Sequence, residues 1–113
     1  MFAVIFEVKP KPEGKAEYLD IAAALRQELE KIDGFISIER FQSLTNDGKI
    51  LSLSFWRDEA AITTWRGQTK HQRAQDKGYN VLFNDYRLRV AEVVRDYTKS
   101  NREEAPQDVP ARK

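Results

Sequence analysis

The sequence predicts an α+β domain in which four antiparallel strands and two helical segments alternate as β-α-β-β-α-β. Three observations carry this. Phe2 to Lys9 alternates from side to side and then gives way to a segment with helical spacing. Asn46-Asp47-Gly48 stands between two further alternating runs and marks a tight hairpin. The second of those runs passes through Trp56-Arg57-Asp58-Glu59 into a short amphipathic stretch. At 113 residues the chain fits one domain, expected over residues 1–98, with 99–113 as a disordered or arm-like tail.

The first strand sets Phe2, Val4, Phe6 and Val8 on one side and Ala3, Ile5, Glu7 and Lys9 on the other. Pro10 and Pro12, which lack the N–H a ladder needs, end it. A helix is expected from about Glu13 to Ile32, because Tyr18, Ile21, Ala22, Leu25, Leu29 and Ile32 recur at its period. Asp33-Gly34 stops it, with Gly34 suited to the left-handed C-terminal position. Phe35 to Leu44 and Lys49 to Trp56 form the hairpin. Asp58 is the expected N-cap of a helix from Glu59 to Arg66, Gly67 interrupts it, and a second helical piece is expected from about Thr69 to Gln75. Asp85 to Thr98 reads as an unusually long fourth strand, one that bends or runs beyond its own sheet. The element order is the ferredoxin-like one.

Composition excludes several function classes. The absence of cysteine rules out disulfides, thiolate catalysis and thiolate metal sites. A single histidine cannot build a multi-histidine metal centre. With 19 basic and 18 acidic residues, net +1, there is no electrostatic footprint for nucleic acid or an anionic membrane. No apolar run approaches the ~20 residues of a membrane helix, and no basic segment opens a signal peptide; a cytoplasmic location is expected. Both faces of the sheet are apolar, Phe2, Val4 and Phe6 against Ala3 and Ile5 on the first strand, and Leu51, Leu53 and Phe55 against Ile50 and Trp56 on the third. The helices cover one face. A second copy is the simplest cover for the other, so a homodimer is expected.

The element order, Gly34-Phe35, the run Ser52-Leu53-Ser54-Phe55-Trp56-Arg57-Asp58-Glu59, Trp65-Arg66, His71 and Val94-Arg95-Asp96-Tyr97 together resemble the antibiotic biosynthesis monooxygenase family, over roughly residues 1–98. The resemblance implies a dimeric α/β barrel with a pocket in each protomer between helices and sheet. It also implies mixed activities: oxygenation of polyketide-like aromatics without metal or cofactor, haem degradation, or none assigned. Haem-degrading members resemble one another in a strand-one asparagine, a tryptophan on the second helix and a histidine ten residues later. Trp65 fits that pattern, but Glu7 and Gln75 stand at the other two positions, so haem is disfavoured. The cofactor-free members fit better, since they carry a polar group six residues after the tryptophan, where this sequence has His71.

The expected function is therefore cofactor-independent oxygenation of a small aromatic or quinol-like substrate. Such chemistry needs a base, a dry aromatic pocket and donors that hold the anion. His71 is the side chain that titrates near neutrality, and Trp65 offers a flat wall and an indole N–H; these two are the catalytic candidates. Phe6, Phe83 and Arg87 are the expected substrate contacts, with Arg89 a second candidate for an oxyanion. Each has an ordinary reading beside it. His71 in Lys70-His71-Gln72-Arg73 is equally a solvated surface residue, Trp65 a core residue, and Arg87 and Arg89 a solvated strand face. In one continuous helix Trp65 and His71 would stand about 120° apart, so their convergence requires a break at Gly67. The alternative to an enzyme is a small-molecule-binding or stress-associated module without a catalytic set.

Overall fold

The computed structural model describes residues 1–68 and 82–109. Its strands are β1 (Phe2–Pro10), β2 (Phe35–Gln42), β3 (Ile50–Trp56) and β4 (Phe83–Glu92); its helices are α1 (Lys15–Leu29) and α2 (Glu59–Arg66). The strands lie in the order β2-β3-β1-β4, every neighbour antiparallel. This is the predicted ferredoxin-like arrangement. His71 and the helical piece expected from Thr69 to Gln75 lie outside the described residues.

Register explains which side chains meet the helices. Val4 pairs with Ser54 on β3 and Val90 on β4; Phe6 pairs with Ser52 and Leu88. Because side chains alternate at period two, these residues share one face. On β2 the alternation slips: Phe35 pairs with Trp56 and Ser37 with Phe55, leaving Ile36 as the extra residue of a bulge. Phe35 and Ile38 consequently both pack under the helices, while Ile36 is exposed. Strict alternation groups Ile36 with Ile38, and the bulge is what separates them.

Several element ends differ from the sequence reading. α1 is preceded by a 3-10 turn over Pro12–Gly14 and stops at Leu29, three residues before the expected end. From there Glu30 N–H bonds Arg26 O, Lys31 N–H bonds Glu28 O, Ile32 N–H bonds Leu29 O, and Phe35 N–H bonds Ile32 O. Gly34, at φ +95°, turns the chain into β2. That strand ends at Gln42 rather than Leu44, because the Ser43 hydroxyl accepts from the N–H groups of Thr45 and Asn46 and starts the turn early. β4 ends at Glu92, not Thr98. Its partner is exhausted there: Glu92 pairs with Phe2 and Val93 N–H bonds the carbonyl of Met1. Among the described residues, the hydrogen bonds found beyond Val93 are internal to the tail, such as Asp96 N–H to Glu104 and Arg102 to the Val109 carbonyl.

Two clusters form the core between sheet and helices. One joins Leu29, Trp56, Ala61, Ile62 and Trp65. The other joins Val8, Tyr18, Ile50 and Leu82. Trp56 is 1% exposed, its indole N–H donating to Ser54 Oγ at 2.9 Å; it is packing for the protomer's own core. The opposite face carries Ile5, Leu51, Leu53 and Phe55, half-buried, and Phe41, 42% exposed. None of these belongs to either cluster. Among the described residues no helix is long and apolar enough to cross a membrane.

Candidate functional site

The position of Trp65 follows from how α2 begins. Asp58 has extended backbone and its Oδ1 accepts from the Ala61 N–H at 2.9 Å, the predicted N-cap. That start sets Ala61, Ile62 and Trp65 on the inner face, three and four residues apart, and all three are buried. α2 ends at Arg66 with Gly67 as C-cap, whose N–H bonds Thr63 O. α2 therefore ends before the position of His71, which lies outside the described residues.

Between the two core clusters lies a cavity of about 190 Å³, walled by α1, α2 and the inner sheet face. Trp65, Phe6 and Phe83 all line it, so three of the predicted site residues converge. The Phe6 and Phe83 rings stand 5.9 Å apart, and Tyr18 meets Phe83 edge-on at 5.3 Å. Aliphatic side chains such as Ile21, Leu25 and Val90 complete an apolar lining. The space is smaller than the roughly 300–1,000 Å³ of a typical ligand pocket, and its described lining is mostly apolar.

Among the described residues the polar groups that line it are few. Tyr18 projects from α1, Ser52 and Ser54 from β3, Arg40 from β2 and Arg66 from the end of α2. Ser54 is engaged by Trp56. Burial pushes the Tyr18 phenol above its ordinary value, opposed in part by the neighbouring Arg40 guanidinium; its hydroxyl is therefore a protonated donor at neutral pH. Arg40 Nε is buried with no hydrogen-bond partner. The sequence reading passed over both Arg40 and Tyr18 as site residues. The signal was present for Arg40, two residues from Ile38 and hence on the same strand face, but a charged residue on an edge strand ordinarily reads as solvated.

Arg87 is not brought to the cavity. It pairs with Glu7 in register and lines a separate polar groove with Lys9, Asn46 and Asp85. Arg89 is ion-paired to Glu7 at 3.6 Å, and Lys49 reaches the same carboxylate at 3.4 Å. Glu7, at the position where haem-degrading members resemble one another in an asparagine, is thus committed to the sheet face away from the cavity. Among the described residues no three His, Cys, Asp or Glu side chains are grouped to hold a metal ion.

Comparison with known proteins places this geometry in a family. The family model for antibiotic biosynthesis monooxygenase matches residues 1–77. A protein of Pyricularia oryzae named jasmonate monooxygenase ABM is 48% identical over 112 residues, which cover 99% of this chain and 52% of that protein. The chain thus spans about half the length of that relative. The uncharacterized protein YqjZ of Bacillus subtilis is 34% identical over 94 residues, 83% of this chain and 80% of that one. Among solved structures, Rv0793 of Mycobacterium tuberculosis superposes with a TM-score of 0.76 at 18% identity, covering 86% of this chain and 98% of its own; at that identity the likeness is one of fold. The chain belongs to the antibiotic biosynthesis monooxygenase family.

Proposed function

We propose that the protein is a monooxygenase that acts on a small, largely apolar substrate held in the cavity between α1, α2 and the sheet. The carrying observation is that the cavity gathers Trp65, Phe6 and Phe83 around an apolar space in a chain whose residues 1–77 match the monooxygenase family. The reading includes His71 as the base that takes the substrate proton and Trp65 as the wall against which the substrate lies.

For an aromatic or quinol-like substrate the reaction balances without a cofactor. The deprotonated substrate gives electrons to O2, a C–O bond forms, two substrate hydrogens leave, and the second oxygen departs as water. Exclusion of water by the bound substrate would favour this, since a few fixed dipoles then govern the anion. The name of the Pyricularia relative makes jasmonic acid a second substrate to offer. Hydroxylating an alkyl C–H consumes two further electrons, so that assay must be run with and without a two-electron reductant such as a reduced nicotinamide or flavin.

The test is oxygen uptake by the purified chain with a panel of quinols and with jasmonic acid. The reading predicts substrate-dependent uptake that His71→Ala abolishes while the melting temperature is kept. Uptake unchanged in that variant removes His71 from the mechanism; no uptake with any compound favours the binding-module alternative. The proposal includes a homodimer joined through the helix-free sheet face, supported by Ile5, Leu51, Leu53, Phe55 and Phe41 lying there outside both core clusters.

A further inference from the structure

The cavity has a chemical polarity that an apolar substrate alone does not account for. Its described lining includes two cations, Arg40 and Arg66, and no Asp or Glu. Arg66 sits at the rim, tied to Thr63 Oγ1 at 3.3 Å. Arg40 is the inner one. It projects from β2 opposite Ser52 on β3, its Nε is buried without a hydrogen-bond partner, and among the described residues no carboxylate forms an ion pair with it. Its guanidinium also hydrogen-bonds the Tyr18 side chain, but the buried Nε donor is unfavourable unless an acceptor meets it, and for a cation an anion is the strongest acceptor.

The neighbouring donor narrows the class of anion. The Tyr18 hydroxyl lies beside Arg40 and is protonated at neutral pH. A planar guanidinium fork with one adjacent O–H matches the two oxygens of a carboxylate. Apart from Ser52, Ser54 and Arg66 at the rim, the rest of the described lining is apolar or aromatic, which suits the hydrocarbon body of an acid and not a multiply charged phosphate.

We propose that the cavity binds a small apolar carboxylic acid: Arg40 and the Tyr18 hydroxyl hold the carboxylate, and the apolar body lies against Trp65, Phe6 and Phe83. This rests on the cavity being the substrate site. It also orients the ligand. The charged end is fixed at β2, one edge of the sheet, and the body extends towards β4 at the other. Arg40 is thus a binding and orienting residue that selects acids over neutral analogues.

Calorimetric titration of the full chain with 4-phenylbutyrate and with its methyl ester tests this, since the pair differs in charge and little in apolar bulk. The acid is expected to bind at least about tenfold more tightly than the ester, the order of one charge-assisted hydrogen bond. Arg40→Gln should erase that preference, with near-UV circular dichroism and melting temperature reporting that the variant is folded; Arg40→Lys should keep part of it. Equal affinity for acid and ester in the wild type, binding of neither, or a preference that survives Arg40→Gln overturns the proposal. The readout does not involve oxygen. An acid-selective protein that never consumes O2 contradicts the enzymatic reading and leaves the anchor standing.

Discussion

Arg57 grips Asp33 through two parallel hydrogen bonds, Nη1 to Oδ1 and Nη2 to Oδ2, each 3.1 Å long. Its Nε donates to Asp58 Oδ2 at 3.1 Å, and its backbone N–H donates to the Gly34 carbonyl at 2.7 Å. One side chain thereby fastens the turn between α1 and β2 to the cap of α2, the helix that carries Trp65. Arg57 holds the Asp33 carboxyl below the usual carboxylate range; at Asp58 the Ala61 N–H is the larger cause and Arg57 the second.

The pH dependence follows from those directions. Each carboxyl has a folded value below its unfolded one, so its contribution is fully present above the unfolded value. That contribution is lost as pH falls through the folded value, below about pH 4. Both groups are exposed, so the effect is modest and salt-sensitive. Melting temperatures measured across the acid range should fall more steeply for the wild type than for Arg57→Ala. The variant itself should be destabilised at neutral pH by a few degrees.

Gly34 occupies the crowded side of that junction. At φ +95° an added Cβ would stand 2.8 Å from Ala61 Cβ. Gly48 is also left-handed, at φ +80°, but a Cβ there meets nothing within 4 Å. Denaturant titration should show Gly48→Ala losing about 1–2 kcal/mol, the cost of the backbone region alone. Gly34→Ala should lose distinctly more, and the difference between the two measures the clash against α2.

Trp65 belongs at once to the core and to the cavity wall, 8% exposed in the first cluster. Truncation to alanine should therefore destabilise the protein by about 3–5 kcal/mol, too much for a clean kinetic reading. Trp65→Phe keeps an aromatic face in place. That variant should remain folded by near-UV circular dichroism while turnover of an accepted substrate falls.

Phe41 tests the second sheet face. It is 42% exposed in the protomer, so Phe41→Asp should leave the monomer folded and weaken self-association. Sedimentation equilibrium at micromolar concentration should give a dimer for the wild type and a shift towards monomer for the variant. A wild-type monomer would contradict the proposed assembly.

What the sequence revealed tracks how local each determinant is. Asp58 as cap, Gly48 in the hairpin and the pairing of β2 with β3 depend on a few adjacent residues, and each was legible. The bulge at Ile36 was not, because it is set by the partner strand's register rather than by the run Phe35-Ile36-Ser37. The end of β4 depends on where β1 begins, at the far end of the chain. Site residues divide likewise. Trp65, Phe6 and Phe83 are large and aromatic and stand on predictable faces. Arg87 and Arg40 are both arginines on strands, and only the assembled sheet shows that Arg40 faces the helices while Arg87 lies with the polar groove beside Glu7.

The central claim is that this cavity is where dioxygen meets a substrate. Incubating the purified chain under 18O2 with the compound that drives oxygen uptake, then analysing product and water by mass spectrometry, tests it most directly. The account predicts one labelled oxygen in the product, the other in water, and no labelled product from a variant whose cavity is blocked by Ala22→Trp. Unlabelled product, or labelling that persists when the cavity is blocked, would contradict it.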